Sequence, residues 1–325
     1  MSGNQALNIN RVVGQHADLQ INNRGSDWYY TVCGIMGAST LIIMAFALRR
    51  HQSHRIFHYI TAAITATAAI AYWAMGSNVG QVPIQVEFVR PGSSQVRSAG
   101  TREIFYARYI DWAITTPLLL LDLLLTAGVP WPTIAATLFA DEIMIVCGLI
   151  GALTQTSYKW GFWTIGMFAL FFIAYQLLFD GRRHANVLGG APKRTYWTCG
   201  VWLISIWFLY PIAWGLSEGG NVIHPDAEAI FYGILDIASK PVFGLILLLG
   251  HRNINPAVLG IRTHLPTEAS EKYGHASGAN GVHPEGPGSN VGGNMGQTTG
   301  QVPGQTTDSS NLAGAGHPTA APQNV

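Results

Sequence analysis

The sequence predicts an all-α membrane protein: a seven-transmembrane helix bundle with a short extracellular β-hairpin between helices 2 and 3. Two observations carry this. Of 325 residues, 49% are hydrophobic and only 11% charged, whereas an ordinary soluble domain carries charge on about a quarter of its residues. Crossing hydrocarbon takes about 20 mostly apolar residues, and seven such stretches occur, at 28–48, 57–75, 103–125, 131–153, 160–179, 195–217 and 227–250.

The first 27 residues are polar and lack an apolar core followed by a small-residue cleavage site, so residues 1–27 read as an extracellular segment and the first span directs insertion. Residues 28–252 form the bundle. Most of its connections are short, such as Thr126 to Pro130, which makes sequential helices antiparallel neighbours around a shared interior. The exception is 76–102, where apolar and polar residues alternate through Val82, Ile84, Val86 and Phe88 before Pro91-Gly92; this is the pattern of a hairpin over the outer mouth. Residues 253–325 turn to Gly, Ser, Thr, Pro, Asn and Gln, a composition that cannot bury enough surface to offset chain entropy, and are expected to be a disordered tail. Orientation follows from Lys and Arg near the helix ends. Arg49, Arg50 and Arg55, then Arg182, Arg183, Lys193 and Arg194, then Arg252 mark the cytoplasmic side, against Arg90, Arg97 and Arg102 in the second loop. The N-terminus is expected outside and the tail inside.

A formal net charge of +1 argues against a nucleic-acid partner, and the sequence shows neither a Gly-rich phosphate loop nor metal-spaced Cys and His. Cys33, Cys147 and Cys199 each sit in an apolar run and read as small buried hydrophobes. The lipid bilayer is the evident partner, and a homo-oligomer within it is compatible with the sequence.

Ionisable residues inside spans cost several kcal/mol and mark function by default. The third span holds Arg108, Asp111 and Asp122. At 100° per residue the two aspartates lie about 20° apart on one face, separated by roughly 16 Å along the axis. Arg108 and Thr115 flank Asp111 by about one turn. In the seventh span Asp236 and Lys240 share a face at i and i+4. Two readings of Lys240 stand: a structural ion pair with Asp236, or a buried amine used covalently, since a lysine held in such a site condenses with an aldehyde. Two carboxylates and an arginine exceed what neutralising one lysine requires. Trp207, Tyr210 and Trp214 make one aromatic face of the sixth span, with Pro211 expected to kink it; Trp112 and Trp163 add rings. Such a stripe is either packing or a wall for a flat conjugated ligand.

The run from Ala107 to Asp122, Ala-Arg-Tyr-Ile-Asp-Trp-Ala-Ile-Thr-Thr-Pro-Leu-Leu-Leu-Leu-Asp, closely resembles the third helix of the microbial rhodopsins, in particular fungal members similar to bacteriorhodopsin. Trp207 to Trp214 and Leu235-Asp236-Ile237-Ala238-Ser239-Lys240 agree with it, so the resemblance covers residues 28–252. It implies all-trans retinal linked to Lys240 as a protonated Schiff base, with Asp111 and Asp236 as counterions and Arg108 below them. It further implies that Asp111 is the primary proton acceptor, hydrogen-bonded by Thr115, and that Asp122 reprotonates the nitrogen from the cytoplasmic side. The implied retinal box is Tyr109, Trp112, Met144, Trp163, Trp207, Tyr210 and Trp214, with Tyr72 and Asp236 framing the counterions; Asp141 is a structural acid near the ring of the retinal. Glu218 and Glu228 match the family's paired acids at the proton exit, against the simpler reading of two solvated loop carboxylates. The chain departs from bacteriorhodopsin in being one residue shorter between Trp214 and Glu218 and in the fourth loop, and in Glu142 and the Ser239-Lys240-Pro241 context.

The resemblance thus implies a light-driven outward proton pump, a transporter rather than an enzyme, in the plasma membrane. A sensory photoreceptor with weak or no transport is the alternative, and Asp122 separates the two because a sensor needs no fast internal donor. A retinal-free structural opsin is a third reading, which Lys240 opposes.

Overall fold

A backbone in hydrocarbon finds no water to bond, so each apolar run closes its hydrogen bonds internally as a helix. The computed structural model describes residues 5–10, 17–89 and 100–260, and among these, seven helices are long and apolar enough to cross a membrane. They are α1 (Asn23–Leu48), α2 (Ile56–Gly76), α3 (Tyr106–Thr126), α4 (Trp131–Leu153), α5 (Lys159–Leu188), α6 (Gly190–Gly219) and α7 (Pro225–Asn253). The chain is an integral, multi-pass membrane protein. Each helix packs on the next and α7 closes the ring against α1, so side chains of α3, α6 and α7 meet in the interior. The α3–α4 turn is tight because Gly128 adopts φ +64°, open to glycine at little steric cost, ahead of Pro130.

Between α2 and α3, β1 (Gln81–Gln85) pairs antiparallel with β2 (Thr101–Phe105), Gln81 opposite Phe105 and Gln85 opposite Thr101. The hairpin is as expected; its turn at Pro91-Gly92 lies outside the described residues. A segment before α1 adds to the other side of β2: Leu19 N–H donates to the Thr101 carbonyl (3.0 Å) and Glu103 N–H to the Leu19 carbonyl (2.9 Å). Pro83 therefore sits on the edge strand β1, where its missing N–H costs no ladder bond. This pairing also corrects the start of the third helix. Residues 103–105 are apolar enough to read as helix, but they belong to β2 and α3 starts at Tyr106.

Three helices are not regular. α6 is interrupted at Phe208, three residues before Pro211, as the expected kink requires. α5 widens to a π-turn at Gln176–Gly181 and α7 at Ala238–Val242. Pro241 explains the second: it has no N–H to donate to Ile237, and the wider turn relieves the clash of its ring with that carbonyl. Lys240 lies inside this π-turn. Residues 253–260 were assigned to the tail by composition, yet Ile254 and Leu259 are buried beside α3 and α4 residues in the core. The rest of the expected tail, 261–325, lies outside the described residues.

Candidate functional site

The interior polar residues fall in three layers. In the middle, Lys240 Nζ lies 2.8 Å from Asp236 Oδ1 and 3.2 Å from Asp111 Oδ2, all three being 1% exposed or less. The two carboxylates are held differently. Asp236 accepts from the Tyr72 hydroxyl (2.7 Å to Oδ2) and the Tyr210 hydroxyl (2.6 Å to Oδ1). Asp111 has no such help: among the described residues its carboxylate oxygens receive no hydroxyl, and Lys240 Nζ is the group within ion-pair distance. Thr115 does bond to Asp111, but its hydroxyl donates to the main-chain carbonyl (2.8 Å) rather than to the carboxylate. That is the usual geometry of a helical threonine whose hydroxyl reaches the carbonyl four residues back.

A pocket opens beside Lys240, lined by Tyr109, Trp112, Met144, Trp163, Trp207, Tyr210 and Trp214 from α3, α4, α5 and α6, with Thr116, Gly148, Pro211 and Ser239. Every aromatic assigned to the retinal box from sequence is there, and so is Met144. Tyr72 is not; it serves Asp236 from the far side. The space between these side chains, counted together with its open mouth, is about 740 Å³. Lys240 is its only amine, and the buried Trp112 Nε1 that lines it has no partner among the described residues.

On the hairpin side, Glu218 and Glu228 are 4% and 2% exposed, which removes the solvated-loop reading. Glu228 is clamped between Arg102 (2.6 Å) and Arg108 (2.6 Å). Glu218 stands 3.2 Å from Arg108 and meets the hydroxyls of Tyr109 (3.2 Å), Tyr232 (3.0 Å) and Ser217. Arg108 also donates to Tyr29 (2.8 Å), so all its hydrogen bonds run outward. Sequence reading missed Tyr29, Tyr232 and Ser217, and counted Arg102 as a loop charge when it is 1% exposed and paired. No periodicity signals these; they converge from α1, β2, α6 and α7.

On the side away from the hairpin, Asp122 is fully buried, and its described partner is the Thr61 hydroxyl of α2 (3.0 Å). Thr61 also lies 2.7 Å from the Phe57 carbonyl. One hydroxyl carries one proton. If it goes to the carbonyl, which can only accept, the Asp122 contact needs a proton on the carboxyl, and among the described residues no cation pairs with it. The same count applies to Asp141, whose Oδ2 is 2.8 Å from a Thr116 hydroxyl that already has the Trp112 carbonyl at 2.7 Å. Both sites thus fit neutral carboxyls.

With this geometry in hand, the comparisons with known proteins are direct. The family described as bacteriorhodopsin-like protein matches residues 25–254. The chain belongs to this family, the microbial rhodopsins. This rhodopsin is 52% identical to the opsin-like protein carO of Fusarium fujikuroi over 297 residues, covering 89% of this chain and 96% of that one. Among solved structures it is similar to the light-driven proton pump of Leptosphaeria maculans (36% identity, TM-score 0.68, 73% of this chain and 99% of that one). It is also similar to the light-driven proton pump of Coccomyxa subellipsoidea (39%, TM-score 0.67, 72% and 99%). Members of the family bind retinal as their chromophore. The apolar, ring-lined pocket with one amine at its end fits that group.

Proposed function

We propose that this rhodopsin is a light-driven outward proton pump that carries all-trans retinal on Lys240 Nζ, with Asp111 as acceptor and Asp122 as cytoplasmic donor. When bound, retinal supplies light absorption and an isomerisation that reorients the Nζ–H bond. The observation that carries the reading is the asymmetry of the two carboxylates around Lys240. Asp236 accepts from two phenol hydroxyls whichever way the Nζ–H points. Asp111 depends on that N–H alone, so it is the group whose anion loses most when the bond turns and the one that takes the proton.

A neutral Asp111 no longer draws Arg108 inward. Arg108 then holds Glu218 and Glu228 more strongly, and the proton that leaves belongs to Glu218. The surroundings support this reading: Glu218 is buried among the hydroxyls of Tyr109, Tyr232 and Ser217 beside one guanidinium, where Glu228 has two. Glu228, between two guanidinium groups, stays charged. Asp122 then returns a proton to Lys240 Nζ from the inner side. Export against 100–200 mV costs about 2–5 kcal/mol, a swing of roughly 2–3 pKa units at the transferring groups.

The proposed orientation puts the N-terminus outside and the plasma membrane around the bundle. Arg49, Arg50, Arg55, Arg182, Arg183, Lys193 and Arg194 remain on the cytoplasmic side, while Arg102 is neutralised within the outer cluster and no longer counts against them.

The test is external pH under illumination of cells expressing the protein with all-trans retinal. Acidification that a protonophore abolishes, absent in colourless Lys240→Ala cells, is the expected result. A coloured, photocycling protein that leaves external pH unchanged overturns the pump in favour of a sensor.

A further inference from the structure

We propose that His251, acting through Thr126, is the residue that reloads Asp122 with a proton from the cytoplasm; this rests on Asp122 being the internal donor. His251 ends α7 on the cytoplasmic side and is 9% exposed, its ring packed 4.0 Å from the ring of Phe57. Its Nδ1 lies 2.9 Å from the Leu247 carbonyl, which only accepts, so Nδ1 carries a hydrogen and Nε2 is the atom free to gain and lose one. Nε2 is aimed inward and lies 3.1 Å from Thr126 Oγ1.

Thr126 is one helical turn on the cytoplasmic side of Asp122, and its hydroxyl also lies 2.7 Å from the Asp122 carbonyl. This hydroxyl serves both forms of the imidazole by rotating. With neutral His251 it donates to the Nε2 lone pair. With the imidazolium, Nε2–H donates to Oγ1 and the hydroxyl proton turns to the Asp122 carbonyl. A site that satisfies both protonation states is what a relay needs and what a purely structural histidine does not.

From Thr126, one helical turn of about 5.4 Å remains along the axis, within reach of one bridging water. It ends at Asp122 Oδ1, which is buried and without a partner among the described residues. Once Asp122 has given up its proton, its negative charge attracts one to Nε2. With the ring turned toward the cytoplasm a buffer acid protonates the Nε2 lone pair; once the ring is back in place the Nε2–H bond breaks toward Thr126 Oγ1 while the hydroxyl proton passes through the bridging water to the carboxylate, and neutral His251, Thr126 and Asp122 are restored. Two groups facing this site from α2 and its preceding loop are His58, close enough to act electrostatically on His251, and Arg50, whose guanidinium acts on His58 and donates to the Arg252 carbonyl. Neither makes a described hydrogen bond with Thr126 or Asp122.

The experiment is flash photolysis of the retinal-loaded protein, reading reprotonation of the Lys240 nitrogen by its absorbance and proton uptake by a pH dye. In His251→Ala the first-turnover return of the proton to Lys240 keeps its rate, uptake slows by about tenfold or more, and imidazole added to the medium restores it. His251→Gln, which keeps both hydrogen bonds but carries no proton, is slow as well. Unchanged uptake in His251→Ala, or parental uptake in His251→Gln, overturns the relay. Asp122→Asn measured alongside tests the donor itself. Unslowed reprotonation of Lys240 there overturns both readings, whereas slowed reprotonation there with unchanged uptake in His251→Ala overturns the relay alone.

Discussion

At the scale of single residues, the two carboxylates around Lys240 are chemically identical and separated only by their hydrogen-bond partners. Replacing Asp111 by Asn is expected to shift the absorption band and to lower the rate of first proton transfer by at least about 100-fold, ending transport. Replacing both Tyr72 and Tyr210 by Phe strips Asp236 of its two donors and should let it compete for the same proton, visible as a second carboxyl band in time-resolved infrared spectra. An unaltered single band in that double variant would show that the hydroxyls do not set the asymmetry. On the hairpin side, Glu218→Gln is expected to abolish early proton release to a surface dye while leaving transfer to Asp111 intact, because the proposed cycle draws the released proton from Glu218, which has one guanidinium neighbour where Glu228 has two. Release that survives in Glu218→Gln and vanishes in Glu228→Gln would reverse the assignment. Asp111, Asp122, Asp236 and Lys240 were legible in the sequence because a charge within an apolar run stands out. Tyr29, Tyr232 and Ser217 were not, since each looks like ordinary packing until the fold brings it to Arg108 or Glu218.

At the scale of elements, hydropathy located all seven spans but not their ends or irregularities. α5 runs on to Leu188 through Arg182 and Arg183, because a helix continues into the headgroup region where charge is no longer costly. The hairpin was expected, but the end of its second strand at 103–105 was read as helix, because its partners lie about 20 residues upstream in β1 and about 80 upstream at Leu19, and pairing of that kind leaves no local period. Pro211 and Pro241 did announce the breaks in α6 and α7. The contact of α7 with α2 is a further case that composition hides. A Cβ on Gly244 would collide with Thr61 Cγ2, so the glycine lets the two helices close at the very residue that holds Asp122. Gly244→Ala is therefore expected to cost about 1–3 kcal/mol of stability and to slow reprotonation of Lys240 severalfold by displacing the Thr61 hydroxyl. Gly37→Ala in α1, where an added Cβ meets nothing, supplies the comparison. Equal reprotonation rates in the two variants would mean that Thr61 does not need its present position.

At the scale of the whole molecule, β2 ties one end of the bundle together, pairing with β1 on one side and bridging to Leu19 on the other, and its weak point is a carboxylate. Glu103 is 2% exposed and accepts the Ile21 N–H (2.9 Å), tying the segment before α1 to the hairpin. Burial, opposed by that N–H and reinforced by the nearby Glu228 and Asp226, pushes its pKa up to about 7 from an ordinary 4.5. Between those values the folded protein holds a proton that the unfolded chain has released, so stability falls as pH rises through this window and is fully reduced above it. At about 1.4 kcal/mol per unit the penalty above neutral pH is at most roughly 3.5 kcal/mol. Glu103→Gln keeps an oxygen for the Ile21 N–H and removes the charge. Thermal unfolding at several pH values should therefore show little difference between variant and parent near pH 4.5, and a higher Tm for the variant at pH 8. Parallel Tm-against-pH curves for the two proteins would place the charge of Glu103 in contact with solvent or with Arg102, and would transfer any pH dependence of this end of the bundle to the Arg102–Glu228–Arg108 cluster behind it.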